Sequence, residues 1–162
     1  MQLQPGQILV AESDGTQVIK MVGDVRLTLC ISFDKFIEAM FNGASPCAIV
    51  FDLTEAQCVD STTLGLMAKI AIMSRERCGL VPVVFSTNPS VNRLLDTMGF
   101  DDIFEIVHDQ HCFDKPCRHI TVTDIDEEGA KARVLEAHNI LMQMNDKNRN
   151  TFRDLVNTLE GQ

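Results

Sequence analysis

The stretch Ala48-Ile49-Val50-Phe51-Asp52-Leu53, leading through Val59-Asp60-Ser61-Thr62-Thr63-Leu64-Gly65, decides how this chain folds. The apolar run from Ala48 to Phe51 ends at Asp52 and Leu53 and reads as a strand buried on both faces, hence central in a sheet. After a short loop, Asp60 and Ser61 supply two residue types that cap helix N-termini, and the apolar-rich segment Leu64 to Met73 supplies the helix. That helix is expected from Ser61 to Cys78, stopping at Gly79. A phosphate on Ser61 would face unpaired backbone N–H groups and the positive end of the helix dipole. It would add roughly 1.5 to 2 negative charges to the surface without requiring any unfolding.

Upstream, Gln7 to Ser13 reads as a strand turning at Ser13-Asp14-Gly15 into a second strand, Thr16 to Val22, so that a hairpin opens the chain. Phe33, Phe36, Ile37, Met40 and Phe41 then form one apolar face of a helix that Asn42-Gly43 ends. Downstream, Val81 to Phe85 is a fourth strand, Ser90 to Met98 a third helix closed by Gly99, and Ile103 to Val107 a fifth strand. The order ββαβαβαβ predicts an α/β fold, a mixed sheet of about five strands packed with helices. Helix two is apolar over more than one stripe, with Lys69 and Ser74 among the few interruptions, so its surface is expected to lie under the sheet on one side and the chain's own tail on the other, the alternative being that part of it stays exposed for a partner.

The Asp60-Ser61 dipeptide followed by Leu64 and Gly65 resembles the start of the second helix in STAS domains, and within them the bacterial anti-sigma factor antagonists. A second match is Asn88-Pro89-Ser90-Val91-Asn92-Arg93-Leu94-Leu95-Asp96-Thr97-Met98-Gly99-Phe100, followed by Ile103 to Ile106, where such domains end in a helix, a glycine and a last strand. Thr63 departs from the pattern, since the family often has Gly there. The resemblance covers about Gln7 to Val107, which predicts a STAS domain at 1–107 and a mostly helical C-terminal extension at 108–162.

It implies a protein-binding regulator that is not an enzyme. Unphosphorylated, such a protein binds an anti-sigma factor or serine kinase-like regulator and so releases a sigma factor; phosphorylation at Ser61 releases the partner, and a phosphoserine phosphatase restores it. Thr62 and Thr63 are the weaker acceptor candidates, and Asp60, Ser61, Thr62, Thr63 and Arg26 make up the expected partner-binding loop and helix start. The corresponding turn in related antagonists often carries an acidic residue where this chain has Arg26, which could pair with Asp60 or phosphoserine, although a solvated side chain is the simpler expectation. The alternative keeps the fold without the switch, as a scaffold of a signalling complex or a lipid-transport component.

A formal charge of −9 with no Lys/Arg cluster argues against a nucleic-acid surface, and no apolar segment approaches the ~20 residues that cross a bilayer. With no signal-peptide pattern at Met1 to Gly6, the expected compartment is cytoplasmic. Four of the six scattered cysteines sit within or beside apolar segments, which suits small buried hydrophobes in a reducing compartment. Only His111, Cys112, Cys117 and His119 invite a metal reading, and without a second Cys pair the expectation is no metal and no cofactor.

Asp52 at a strand end is reminiscent of a receiver domain, but Glu12 is followed by a hairpin turn and no Lys-Pro closes the fifth strand, so Asp52 is expected to hydrogen-bond the turn where its strand gives way to a loop. Ser61 could be paired with His108, His111, His119 or His138 as a hydrolase, yet it has no Gly-x-Ser-x-Gly elbow.

In the tail, His119 to Thr123 could form a short strand, and Asp124 with Glu127 resembles a capping box. Two helices, or else one long one, are expected to follow, with stripes Ala130, Val134, Ala137, Leu141, Met144 and Phe152, Leu155, Val156, Leu159. Docking on the domain's own surface is the default for them; a homodimer or a regulatory partner is the alternative.

Overall fold

A computed structural model describes residues 2–109 and 117–161. The opening hairpin is β1 (Gln7–Ser13) and β2 (Thr16–Val25), turning through Asp14 and Gly15 with φ of 53° and 84°. A 3-10 turn at Leu27–Leu29 leads into α1 (Cys30–Asn42), followed by β3 (Ala48–Val59) and α2 (Ser61–Cys78). Next come β4 (Val83–Phe85), α3 (Pro89–Thr97) and β5 (Glu105–Val107), then β6 (Arg118–His119), α4 (Glu127–Met144) and α5 (Asp146–Leu159).

The strands form one six-stranded sheet in the order β5-β4-β3-β2-β1-β6. β2 to β5 run parallel, each joined to the next through a helix, while β1 and β6 add antiparallel pairings at the other edge. The α/β mixed sheet with a helical C-terminal region is therefore as the sequence predicts, and the expected strand at 119–123 shrinks to Arg118–His119 on the edge of β1. Central placement of β3 follows from its apolar run: Ile49, Phe51 and Leu53 are buried, and Phe51 meets Phe104 edge to face with ring centroids 5.7 Å apart.

β3 does not stop at Leu53. It continues to Val59 because β2 also continues, pairing Val22 with Glu55, Gly23 with Ala56 and Val25 with Val59 across two register shifts. Gly23, at φ 75°, accommodates the irregularity, a backbone shape that side chains at this position would resist. Asp52 consequently lies inside a strand and not at a loop; it is buried, and its carboxylate accepts from the Thr54 amide (3.0 Å) and hydroxyl (2.6 Å).

α2 stops where expected, with Gly79 left-handed at φ 66° and its N–H returned to the last turn. α4 packs against α1 and α2, and α5 packs against α4. The cap of α4 is Asp126, whose carboxylate accepts from Gly129 N, not Asp124. Asn145 joins the two tail helices, capping α5 by accepting from Asn148 N at 2.8 Å. Buried Asn148 donates to the Met98 carbonyl at 2.9 Å and ties α5 to the end of α3. Of the predicted tail stripe, Leu155 is exposed.

Phe51 is fully buried at the centre of the sheet, so Phe51→Ala is expected to cost about 3–5 kcal/mol through lost transfer energy and a residual cavity. Urea denaturation followed by circular dichroism measures it, and a loss under about 1 kcal/mol would show that the core does not depend on this ring.

Candidate functional site

Only Asp60 separates the end of β3 from the start of α2, so the expected loop is a single residue. That residue is fixed from three directions. Its N–H donates to the Val25 carbonyl (3.1 Å), Oδ1 accepts from Thr63 N (2.9 Å) and Oδ2 accepts from Leu27 N (2.7 Å). Asp60 is thus the N-cap of α2, in extended backbone geometry, and it also ties down the end of β2. Ser61 becomes the first helical residue, and its hydroxyl is left over from capping.

The Ser61 Oγ lies 2.8 Å from Nε2 of His138 on α4. The other ring nitrogen of His138, Nδ1, lies 2.6 Å from the Val134 carbonyl, which can only accept, so Nδ1 carries a proton. In the neutral imidazole Nε2 is then an acceptor, and the Ser61 O–H donates to it. His138 is buried, with Phe152 of α5 packed edge to face at 4.9 Å. Ser61 is half-buried, whereas Thr62 and Thr63 are each 2% exposed.

One turn along α2, the backbone of α4 comes into direct contact. A Cβ on Gly65 would fall 2.6 Å from the Cβ of Ala137 and would overlap its carbonyl, so only glycine allows the two helices to cross here. A further turn on, Lys69 reaches Asp34 of α1 (2.8 Å) and Glu136 of α4 (3.1 Å), and Arg133 of α4 completes the cluster at 2.7 Å from Asp34. Burial opposes the charge on Lys69, but Asp34 and then Glu136 outweigh it and hold its pKa above the ordinary lysine value.

The STAS domain family matches residues 7–115 of this chain. The chain belongs to that family. Among the solved structures it resembles is an anti-sigma factor antagonist from Mycobacterium paratuberculosis, 24% identical, with a TM-score of 0.52 over 63% of this chain and 85% of that one. A search of the curated proteins found no match. Helices α4 and α5 lie beyond the STAS match, so the side chain that holds Ser61 comes from outside the family region.

Asp60, Ser61, Thr62 and Thr63 are brought together at one helix terminus of the STAS domain, with burial separating the two threonines from Ser61. Arg26 turns away from them: its guanidinium pairs with Asp24 at 2.6 Å while both Asp60 oxygens accept backbone N–H groups. His108 sits 3.2 Å from the Ser86 carbonyl and His119 is exposed on β6, so of the histidines weighed as partners of Ser61 only His138 reaches it among the described residues. Its Nδ1 is oriented by a backbone carbonyl and not by a carboxylate. His111 and Cys112 lie outside the described residues. Among the described residues no three His, Cys, Asp or Glu side chains gather as a metal site, and no helix is long and apolar enough to cross a membrane.

Sequence reasoning missed Asp34, Arg133 and Glu136. Lys69 was their signal, since a lysine within an apolar helix requires a carboxylate when the helix is buried. Asp34→Asn is expected to cost about 2–4 kcal/mol in urea denaturation, with Lys69 retaining Glu136. Because the folded pKa of Lys69 is raised, its contribution is complete below the ordinary value near 10.5 and is lost as pH climbs through the raised value. Thermal melts should therefore differ between wild type and Lys69→Met at pH 8 and converge at the most alkaline pH that the fold survives; a constant difference would remove the charge from the account.

Proposed function

We propose that this STAS domain is a phosphorylation-switched antagonist. In its unphosphorylated form it binds an anti-sigma factor or a serine kinase-like regulator and so frees a sigma factor, and a phosphate on Ser61 releases that partner. A phosphoserine phosphatase resets it. In this reading the switch belongs to the STAS domain, assigned to residues 1–107, with 108–162 as a mostly helical extension; the protein acts in the cytoplasm and catalyses nothing itself.

The observation that carries this reading is the division of labour at the α2 terminus. Asp60 makes the capping contacts and leaves Ser61 as a hydroxyl with no role in holding the turn. In the transfer, Ser61 Oγ would bond to the γ-phosphorus of a nucleoside triphosphate held by the kinase, the bond to the diphosphate would break, and the hydroxyl proton would pass to a base. The resulting dianion stands beside Asp60, adding repulsion and a desolvation cost to an interface that covers this turn. A few kcal/mol suffices, since each ~1.4 kcal/mol is a tenfold change in affinity. The solved antagonist of the same fold is consistent with this role.

Ser61→Ala should retain a partner from lysate that Ser61→Asp loses by about tenfold or more, and peptide mapping after reaction with the cognate kinase should place the phosphate on Ser61. Equal capture by both variants, with no phosphate on Ser61 in any growth state, would favour an unswitched scaffold or lipid-transport module.

A further inference from the structure

The face of α2 that carries Ser61 is already occupied. Ser61, Gly65 and Lys69 follow one another at four-residue intervals on a single side of the helix, and each is met by α4, through His138, Ala137 and Glu136 respectively. The occupant is this chain's own tail. Its contacts at the two ends of the row are polar, while the middle is a backbone-to-backbone crossing.

We propose that α4 and α5 form a lid on the phosphoryl-acceptor face, and that lid docking and phosphate on Ser61 exclude one another. This rests on the switch proposed above. The exclusion is steric and local. With 2.8 Å between Ser61 Oγ and His138 Nε2, a phosphorus and its oxygens have no place along the direction the hydroxyl now takes. His138 cannot step aside while α4 stays, because it is held at Nδ1 by its own helix and against its ring by Phe152. Two charged groups of the latch, Glu136 and Arg133, are partly open to water, so α4 can leave without stranding either of them in an apolar interior. A regulator that approaches Ser61 must displace the same helix. Phosphorylation then favours the open tail, and by reciprocity an open tail favours phosphorylation by the same factor in equilibrium terms.

Hydrogen exchange on the full-length chain tests this without any partner. With phosphoserine placed at position 61 by genetic incorporation, amides of Glu127–Met144 should exchange about tenfold faster or more, a coupling of ordinary allosteric size, while β2 and β3 keep their protection. Ala137→Phe, which wedges the crossing at Gly65, should open α4 to a similar degree with Ser61 unmodified. Arg133→Glu reverses one charge of the latch at a partly exposed position and should do so without a wedge, which keeps the test valid if the Phe variant fails to fold. An α4 equally protected with and without phosphoserine would overturn the lid, whatever the pull-down finds. Conversely, absence of Ser61 phosphorylation in cells would remove the switch and leave the exchange result standing.

Discussion

The crossing of α4 over α2 at Gly65 is the constraint on which the Ser61 end of this molecule depends. From Leu64 to Met73, α2 is apolar over more than one stripe, so it needs cover on the side away from the sheet, and the cover has to come close. Glycine at 65 lets the two backbones touch, and once they touch, the register of everything else on that face follows. Climbing α2 from Ser61 through Gly65 to Lys69, the contacts descend α4 from His138 through Ala137 to Glu136. Gly65 lies within the span of the STAS match, but its lack of a side chain is used by a helix outside that span.

The chemistry of that seam differs from the chemistry of the core. Phe33, Phe51 and Phe100 fill the interior with side chains that gain from burial alone. The α2–α4 seam instead sets a histidine, a lysine, two carboxylates and an arginine around one small-residue contact. Buried ion pairs return little net stability because desolvation offsets attraction, yet they penalise every misaligned docking heavily. Such a seam fixes where α4 sits more firmly than it fixes whether α4 sits. Cohesion on the far side comes from Asn148, which holds the end of α3 through the Met98 carbonyl.

Legibility in the sequence followed the range of the interactions. The hairpin, β3, the limits of α2 and the two tail helices were readable because period, turn residues and capping residues act within a few positions. Where β3 ends was not readable: Thr54, Glu55 and Gln57 are polar with only Ala56 between them, and the strand conformation there comes from a prolonged β2 that supplies hydrogen bonds across bulges. The cap at Asp126 was missed for a different reason, since Asp124 stood at the spacing of a capping box and only the geometry of the first turn separates them. At the site, Asp60 and Ser61 were legible as a pair, but not which of them caps. His138 lies 77 positions from Ser61, a separation at which no periodicity carries information.

The position of Ser61 one residue inside the helix has a physical consequence for any switch built there. Were the serine the N-cap, attaching a group to its oxygen would disturb the bond that starts the helix, and modification would loosen the fold as well as change the surface. With Asp60 accepting from Thr63 N and Leu27 N, the start of α2 and the end of β2 are held by atoms that a phosphate on Ser61 never touches. The first-turn N–H groups and the helix dipole favour the added negative charge, while the neighbouring Asp60 carboxylate opposes it. These contributions partly offset one another within the domain, so its stability need change little. Such an offset would leave the 2.8 Å spacing between Ser61 and His138 unrelieved, so under the proposed switch a phosphate there would act on whatever covers that face, first the chain's own tail and then any partner that took its place.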